Sequence, residues 1–369
     1  MRRVAIGGFG LTKFNKEDIS IESLMLSSIK SLFDSSPKLN QKDIDVVLTS
    51  TNDNSKYLAN IMSELAGISP KISHSVESLC NSGANSVISA FSYIASGLAD
   101  VALVVGAETF DSPGLVLEWD VSRGQYKHPV YWSSMFTRSH MRKYGTTMED
   151  LAIVSAKNHK NALENPYAYF EREYSVEEIM QSKNITEDVR ILDCSFPCNG
   201  SASVLLASED AVKKFTDSPV WMTGLGQKTI SAGFTKNEDL TSMKSTKYAA
   251  NAAYAMSKKE PKDIDVAEIH DAFSICEIIG IEDMGFVEKG NGSKFVKTLY
   301  DTQDKKINPR GGLLGSGHPL GATGIAQVVE ISQQLQNKAG KRQIDGVEVG
   351  LVQNMSAAAT SSTVIVFES

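Results

Sequence analysis

Three short stretches carry residue types able to do covalent or proton chemistry. The first is VESLCNSGANS, residues 76–86, where Cys80 stands among Asn81, Ser82, Gly83 and Ala84. A thiol between a strand-like run and a small-residue helix lies where unpaired helix N–H groups favour thiolate. Its small neighbours let a substrate approach. The alternative is a buried structural cysteine, the commoner fate of a lone thiol. The second is GSGHPLGATG, residues 315–324, with His318 between glycines and ahead of a proline. Such a loop suits close backbone approach. It lacks the lysine and Ser/Thr pair of a P-loop, so His318 points to catalysis or ligand contact. The third is EIHDAF, residues 268–273. His270 would end a strand, where α/β proteins build their sites. The structural alternative is a His-Asp pair with Asp271 as N-cap of the next helix.

The other candidates are weaker. His74, His128, His140 and His159 read as structural or surface residues. DCSFPC (193–198) spaces two cysteines, but zinc needs two further ligands and none is evident, so no metal is expected. Cys276 follows His270 on a helix and reads as core.

Alternating strands and helices must position these residues. RRVAIGGFG, IDVVLTST (44–51), KISHSVES and DVALVVGAET (100–109) read as strands. Residues 20–36, KYLANIMSELAG and 80–97 read as helices between them. GSASVLLASED (200–210) is a further strand, and DAVKKF a helix. From about residue 219 the order starts again: strand PVWMTGLG, a helix in 240–259, strand IDVAEIHDAF, helix SICEIIGIEDMGF, the Gly-rich loop and helix of 311–340, and two closing strands. This is a duplicated α/β chain, with halves at 1–217 and 218–369. Residues of about 110–185, with EWD, RGQYKHPVYWSS and ENPYAYFEREY, read as an insertion with helical patches such as MEDLAIVSAKNHKNALE. Aligning the halves sets CNSGANS opposite GHPLGATG, and a pseudo-twofold would bring these two helix starts together.

Composition excludes several classes. The chain has 369 residues, is 41% hydrophobic and carries a net charge of −7. No basic block marks a nucleic-acid binder. No run approaches ~18 apolar residues, so no transmembrane helix is expected. MRRVAIGGFG reads as a first strand, not a signal peptide. Four cysteines fit a reducing, cytoplasmic setting without disulfides.

Together these segments resemble the thiolase family, in its sterol-carrier-protein-x and archaeal form. ESLCNSGANSVISAFSYIASGLADVALVVGAE looks like the nucleophile segment, and DCSFPCNGSASVLLAS like the strand closing the first half, with Asn199 where Asp is usual. EIHDAF looks like the His-containing version of a loop that reads Asn-Glu-Ala-Phe elsewhere, and NPRGGLLGSGHPLGATG like the catalytic histidine loop. The resemblance implies two βαβαβαββ halves in a five-layer αβαβα stack, a loop domain over the site, and a homodimer or dimer of dimers. It implies that Cys80 takes the acyl group, His318 is its base and an oxyanion donor, and His270 stabilises an enolate directly or through water. The backbone N–H groups of Cys80 and Ser356 would complete an oxyanion hole. The reaction would be Claisen condensation of two acetyl-CoA to acetoacetyl-CoA and CoA, or the reverse thiolysis. No cofactor would be permanently bound, with coenzyme A as substrate and product. Implied partners are a small OB-fold zinc-ribbon protein and hydroxymethylglutaryl-CoA synthase.

Two departures stand out. The acid/base cysteine of other members is Asn354 here, and its alternative position is Ala272. His270, His318 or Cys276 would then carry that proton. An aldolase-like carbon–carbon lyase on CoA esters, or a weakly active subunit of a larger complex, are the alternatives. Tyr126 to Phe136 is expected to shape the acyl pocket.

Overall fold

Strand β4 (Val101–Glu108) is buried along its whole length because helices cover both faces of its sheet. In the computed structural model, which describes residues 1–111, 124–233 and 236–369, the chain runs as follows. Strand β1 (Val4–Leu11), helix α1 (Ile21–Ser35), β2 (Val46–Ser50), α2 (Leu58–Leu65), β3 (Ile72–Val76) and α3 (Ser82–Ala95) precede β4. Next come α4 (Pro129–Tyr144), α5 (Met148–Ala162), α6 (Val176–Met180) and a small hairpin, β5 (Asn184–Thr186) with β6 (Val189–Arg190). Then follow β7 (Gly200–Ser208), β8 (Val220–Thr229), α7 (Lys244–Ser257), β9 (Val266–Glu268), α8 (Ser274–Asp283) and α9 (Gly292–Thr302). The chain closes with α10 (Gly312–Ser316), α11 (Leu320–Leu335), β10 (Val349–Ser356) and β11 (Ser361–Glu368).

The strand order β3-β2-β4-β7-β1-β8-β11-β10-β9 shows the duplication. Reading outward from the β1/β8 junction, each side runs first strand, last strand, fourth, second. The two sides join through Ala5 opposite Trp221 and Ile6 opposite Val220. On the first side β3 completes five strands. On the second, the equivalent strand is reduced to one parallel bridge, Ala267 with Ile307. The expected mixed α/β fold is present, with this one strand missing.

Three apolar clusters separate the layers. One joins α1 and α2 to the outer face of β1, β2, β4 and β7. A second lies between the two sides, around α3 and α11. The third joins α7 and α8 to the outer face of β10 and β11, and takes in Val130, Trp132, Phe136, Leu151 and Val154 from the inserted helices. Every residue of α11 is buried, as a helix between two sheets must be.

Several elements differ from expectation. DAVKKF forms a single 3₁₀ turn, Val212–Lys214, being too short to sustain an α-helix. The strand expected over 264–273 stops at Glu268, because side chains take the next backbone donors: Asn308 Oδ1 accepts from Ile269 N–H and Gln353 Oε1 from His270 N–H. The aromatic run after residue 128 forms α4 rather than a loop. Its signal was Pro129 at the first helical position and Gly145, with φ 78, past the end. The expected insertion is therefore largely helical. Its EWD stretch lies outside the described residues. Helix α9 had no counterpart in the sequence reading. It ends at the exposed Gln303 in the left-handed region, φ 58. Gln303→Gly is expected to raise the unfolding free energy by about 1 kcal/mol, read as a higher urea midpoint at unchanged m.

Among the described residues no helix is long and apolar enough to cross a membrane.

Candidate functional site

Cys80 lies in a 3₁₀ turn, Leu79–Asn81, ahead of α3 rather than inside it. Leu79 holds φ 50, a left-handed conformation that costs a branched residue about 1–2 kcal/mol. Neighbouring side chains impose it. Glu77 Oε1 accepts from Leu79 N–H at 2.7 Å, Ser82 Oγ accepts from Ser78 N–H at 2.8 Å, and the Ser82 hydroxyl donates to the Leu79 carbonyl at 2.6 Å. The expected low thiol pKa is not found. Burial pushes the half-buried thiol up to about 12, and the charges of Glu108 and Glu77 act in the same sense. Backbone N–H groups of Cys80 itself and of Ala357 point at the sulfur and oppose the rise without reversing it. Desolvation outweighs the helix start here because the helix begins beyond the thiol.

His318 and His270 meet this sulfur. One donor atom from each of Cys80, His270 and His318 lies within 4.8 Å of the others. The two rings pack edge to face at 5.1 Å. Thr323 Oγ1 lies 2.7 Å from His318 Nδ1 and donates its own hydrogen to the Pro319 carbonyl at 3.0 Å. The hydroxyl therefore accepts from Nδ1–H, and His318 Nε2 keeps its lone pair. That nitrogen is buried without a hydrogen-bond partner. Burial, aided by the charge of Arg310, holds the His318 pKa down to about 3. His270 is also well below its ordinary value, from burial first and then from His318 and Arg310. Both rings are neutral at physiological pH.

A polar scaffold beneath the loops fixes these positions. Asp271 does not cap α8. Its carboxylate accepts from Leu313 and Leu314 N–H at 2.6 and 3.2 Å, at the start of α10, and from Asn158 Nδ2 at 2.7 Å. Asn158 and Asn308 both donate to Glu277, which pairs with Lys157 at 3.0 Å. The DCSFPC segment holds the histidine loop, since His318 N–H donates to the Phe196 carbonyl at 2.8 Å. Asn158, Asn308, Thr323, Gln327 and Gln353 were all missed from sequence. The available signal was polar residues interrupting otherwise buried helices and strands.

Cys80, His270 and His318 open on a cavity of about 180 Å³, walled by Leu79, Val130, Trp132, Phe273, Leu320 and Met355 among others. Val130 and Trp132 belong to the 126–136 stretch expected there. His128, read as structural, both caps α4 and lines the cavity. His140 and His159 are buried structural residues, and His74 packs against Tyr93. Ala272 and Cys194 line the cavity, whereas Cys276 is buried in the core away from it. Ser356 is not on the cavity wall. The N–H that reaches the sulfur belongs to Ala357, one residue further on. Ala357, Ala358 and Ala359 take φ 40, 58 and 55, so this turn keeps a left-handed path with no glycine in it. Asn354 lies buried behind His270, with Nδ2 at 3.1 Å from Nδ1 of that ring.

The donor triad resembles three ligands of a zinc site, but the fourth is missing among the described residues and the surroundings are apolar. Neutral thiol, free imidazole nitrogen and inward N–H groups suit acyl transfer instead.

The chain is similar to known proteins along its whole length. The family models "Thiolase, N-terminal domain" and "Thiolase C-terminal domain-like" match residues 3–209 and 226–369. The acetyl-CoA acetyltransferase of Methanothermobacter thermautotrophicus is 35% identical, with 100% of each chain covered. That of Methanocaldococcus jannaschii is 34% identical, covering 99% of this chain and 98% of its own. Sterol carrier protein 2 of Bos taurus is 37% identical over 76% of this chain and 56% of its own. A solved structure described as an Ltp2-ChsH2(DUF35) aldolase shares the fold at TM-score 0.88 and 22% identity, covering 100% of this chain and 98% of that one. Two matched family models and full-length relatives at a third identity place the chain in the thiolase family.

Proposed function

We propose that the protein is an acyl-CoA C-acyltransferase that condenses two acetyl-CoA to acetoacetyl-CoA and CoA, or runs the reverse thiolysis, through an acyl group on Cys80. The observation that carries this reading is the neutral Cys80 thiol beside the unpartnered Nε2 of His318. With the thiol near 12 and the imidazole near 3, a resting ion pair is strongly disfavoured. The proton moves from sulfur to Nε2 as the S–C bond forms with the thioester carbonyl. The tetrahedral intermediate expels coenzyme A as thiolate, which takes the proton back from His318. The N–H groups of Cys80 and Ala357 serve the oxyanion in place of the Ser356 N–H expected from sequence. The apolar walls exclude water from the acyl-enzyme.

Coenzyme A enters as substrate and leaves as product, and no step above needs a resident cofactor. The homodimer or dimer of dimers, the OB-fold zinc-ribbon partner and hydroxymethylglutaryl-CoA synthase remain part of this proposal, as does the cytoplasmic setting. The DUF35-associated fold neighbour supports looking for a partner by co-purification.

The direct test incubates purified protein with acetyl-CoA, measures free CoA and weighs the Cys80 peptide. An acetyl adduct on Cys80 with acetoacetyl-CoA formation is expected. Neither adduct nor CoA release would overturn the reading. The pKa directions add a second test. A His318 pKa near 3 keeps the base free throughout the working range, so His318 is expected to add no acid limb to kcat/KM near the ordinary histidine value, where burial and then Glu277 raise the scaffold residue Asp271 to about 7. An acid limb centred near pH 6.5 that survives in Asp271→Asn would count against His318 as the buried base.

A further inference from the structure

The family position that supplies an acid/base thiol is Asn354 here, and an amide cannot take that proton. The hydrogen bonds around it show what it does. The relay starts at an unambiguous acceptor, the backbone carbonyl of Gln353. Gln327 Nε2 donates to it at 3.1 Å, which turns Gln327 Oε1 toward Asn354. That oxygen accepts from Asn354 Nδ2 at 2.7 Å, and the same nitrogen lies 3.1 Å from His270 Nδ1. Flipping the Asn354 amide would set oxygen against oxygen at that 2.7 Å contact. The amide is thus locked as a donor, and His270 Nδ1 must accept. The imidazole hydrogen is left on Nε2. The Gln353 side chain completes the clamp by accepting from His270 N–H at 2.9 Å.

We infer that Asn354, locked by Gln327, is the positioning residue that keeps His270 as an Nε2–H donor, so that His318 is the single base for both half-reactions. This rests on the acyl-transfer reading above. Thr323 and Asn354 impose opposite tautomers on two neighbouring rings: lone pair on His318 Nε2, hydrogen on His270 Nε2. Among the described residues no other free base faces the cavity: His128 is on the wall, but its Nδ1 lone pair accepts from Val130 N–H at 3.3 Å in the α4 cap. Ala272 has no acid group, Cys276 lies off the wall, and the Cys194 thiol donates to the Arg190 carbonyl at 3.4 Å with its pKa pushed up by burial. After coenzyme A has left, His318 Nε2 is again free. It takes an α-proton from the second acetyl-CoA while His270 Nε2–H donates to the enolate oxygen. The enolate carbon bonds to the acyl carbon, the S–C bond to Cys80 breaks, and the thiolate recovers the proton from His318. Atoms and charge balance over the cycle without a second thiol.

The test is ¹⁵N NMR of histidine-labelled wild-type protein, with His270→Asn used for assignment. His270 is expected to show an unprotonated Nδ1 and a protonated Nε2, and His318 the reverse. A protonated His270 Nδ1 overturns the inference whatever the enzyme assays show. Asn354→Asp turns the donor into an acceptor and is expected to reverse the His270 tautomer. Condensation kcat should fall about 10²–10³-fold, with KM within about threefold and acyl-Cys80 still formed. Gln327→Glu, held as the neutral acid at this buried position, keeps both a donor for the Gln353 carbonyl and an acceptor for Asn354, so it should retain the wild-type tautomer and most of kcat. Gln327→Met should lose both. If Asn354→Asp does not fold, the wild-type spectrum decides. Loss of acetyl-CoA α-proton exchange in Cys194→Ser, with acyl-Cys80 formation intact, would overturn the single-base assignment. Expected tautomers with no acyl transfer under any condition would remove the functional reading while leaving the hydrogen-bond assignment standing.

Discussion

Cys80→Ala is expected to lower condensation and thiolysis by about 10⁴-fold or more, equivalent to about 5.5 kcal/mol of transition-state stabilisation. The fold should hardly notice, because a half-buried thiol becomes a methyl in a turn fixed by Glu77 and Ser82. An unchanged urea midpoint within about 1 kcal/mol is the control for that. The variant also separates the two half-reactions. It retains His318 Nε2 and the His270 donor, so solvent exchange of acetyl-CoA α-protons is expected to survive, whereas His318→Asn should lose both exchange and acyl transfer. A Cys80→Ala protein with more than a tenth of wild-type turnover would sink the acyl-cysteine pathway. A lyase acting without an acyl-enzyme would give that result.

The two helix starts that meet at the site were legible in the sequence because their signals are local. Gly-Ala turns ahead of apolar helical periodicity mark α3 and α11, and the repeated element order set Cys80 opposite His318. Which residues surround that meeting was less legible. Burial decides the thiol pKa, and burial depends on α4 and on the 357–359 turn, far away in the chain. A sequence-level helix-dipole argument sees only the local field, so it gave the wrong sign. Asn354 illustrates the same limit. From its position alone it reads as a lost acid/base group. Its partner Gln327 is 27 residues away on α11, and only their contact reveals a donor held against His270. The missing β-strand near Ile307 is likewise a tertiary effect. Asn308 and Lys306 bond to the backbone around Ala267, but Lys157 and Asn161 of α5 take the carbonyls of Ile307 and Asn308 that would extend the ladder.

Gly321→Ala is expected to be among the most damaging single methyls that can be added near the site. Glycines let the end of β4, the end of β2 and the starts of α3 and α11 come into backbone contact. A Cβ at Gly321 would lie 2.6 Å from the Ser50 carbonyl oxygen, 2.7 Å from that of Ala107 and 2.7 Å from Thr51 Cα. All three are backbone atoms of neighbouring strand ends, so no side-chain rotation relieves the overlap. The facing glycines, Gly83 and Gly106, would meet the Gly321 carbonyl in the same way, and a Cβ at Gly324 would meet Ala84 N at 2.4 Å. Gly321 N–H also donates to Glu108 at 3.1 Å, and the Ser50 hydroxyl donates to its carbonyl at 2.8 Å. Any shift of α11 therefore breaks buried hydrogen bonds as well. Overpacking against backbone with those losses gives about 3 kcal/mol or more of destabilisation. The helix start also carries Thr323, which orients His318, so a displacement of about 1 Å should cost about 10²-fold in turnover in whatever fraction still folds. Gly233→Ala is the matched control. Among the described residues its Cβ would approach only Ser231 Oγ, at 3.8 Å, and it should leave the urea midpoint and activity near wild type. Equal effects at both positions would mean that lost glycine flexibility, rather than the close approach of the two helix starts, governs the response. Stability lost at Gly321 with turnover per folded molecule preserved would show that His318 is positioned independently of α11.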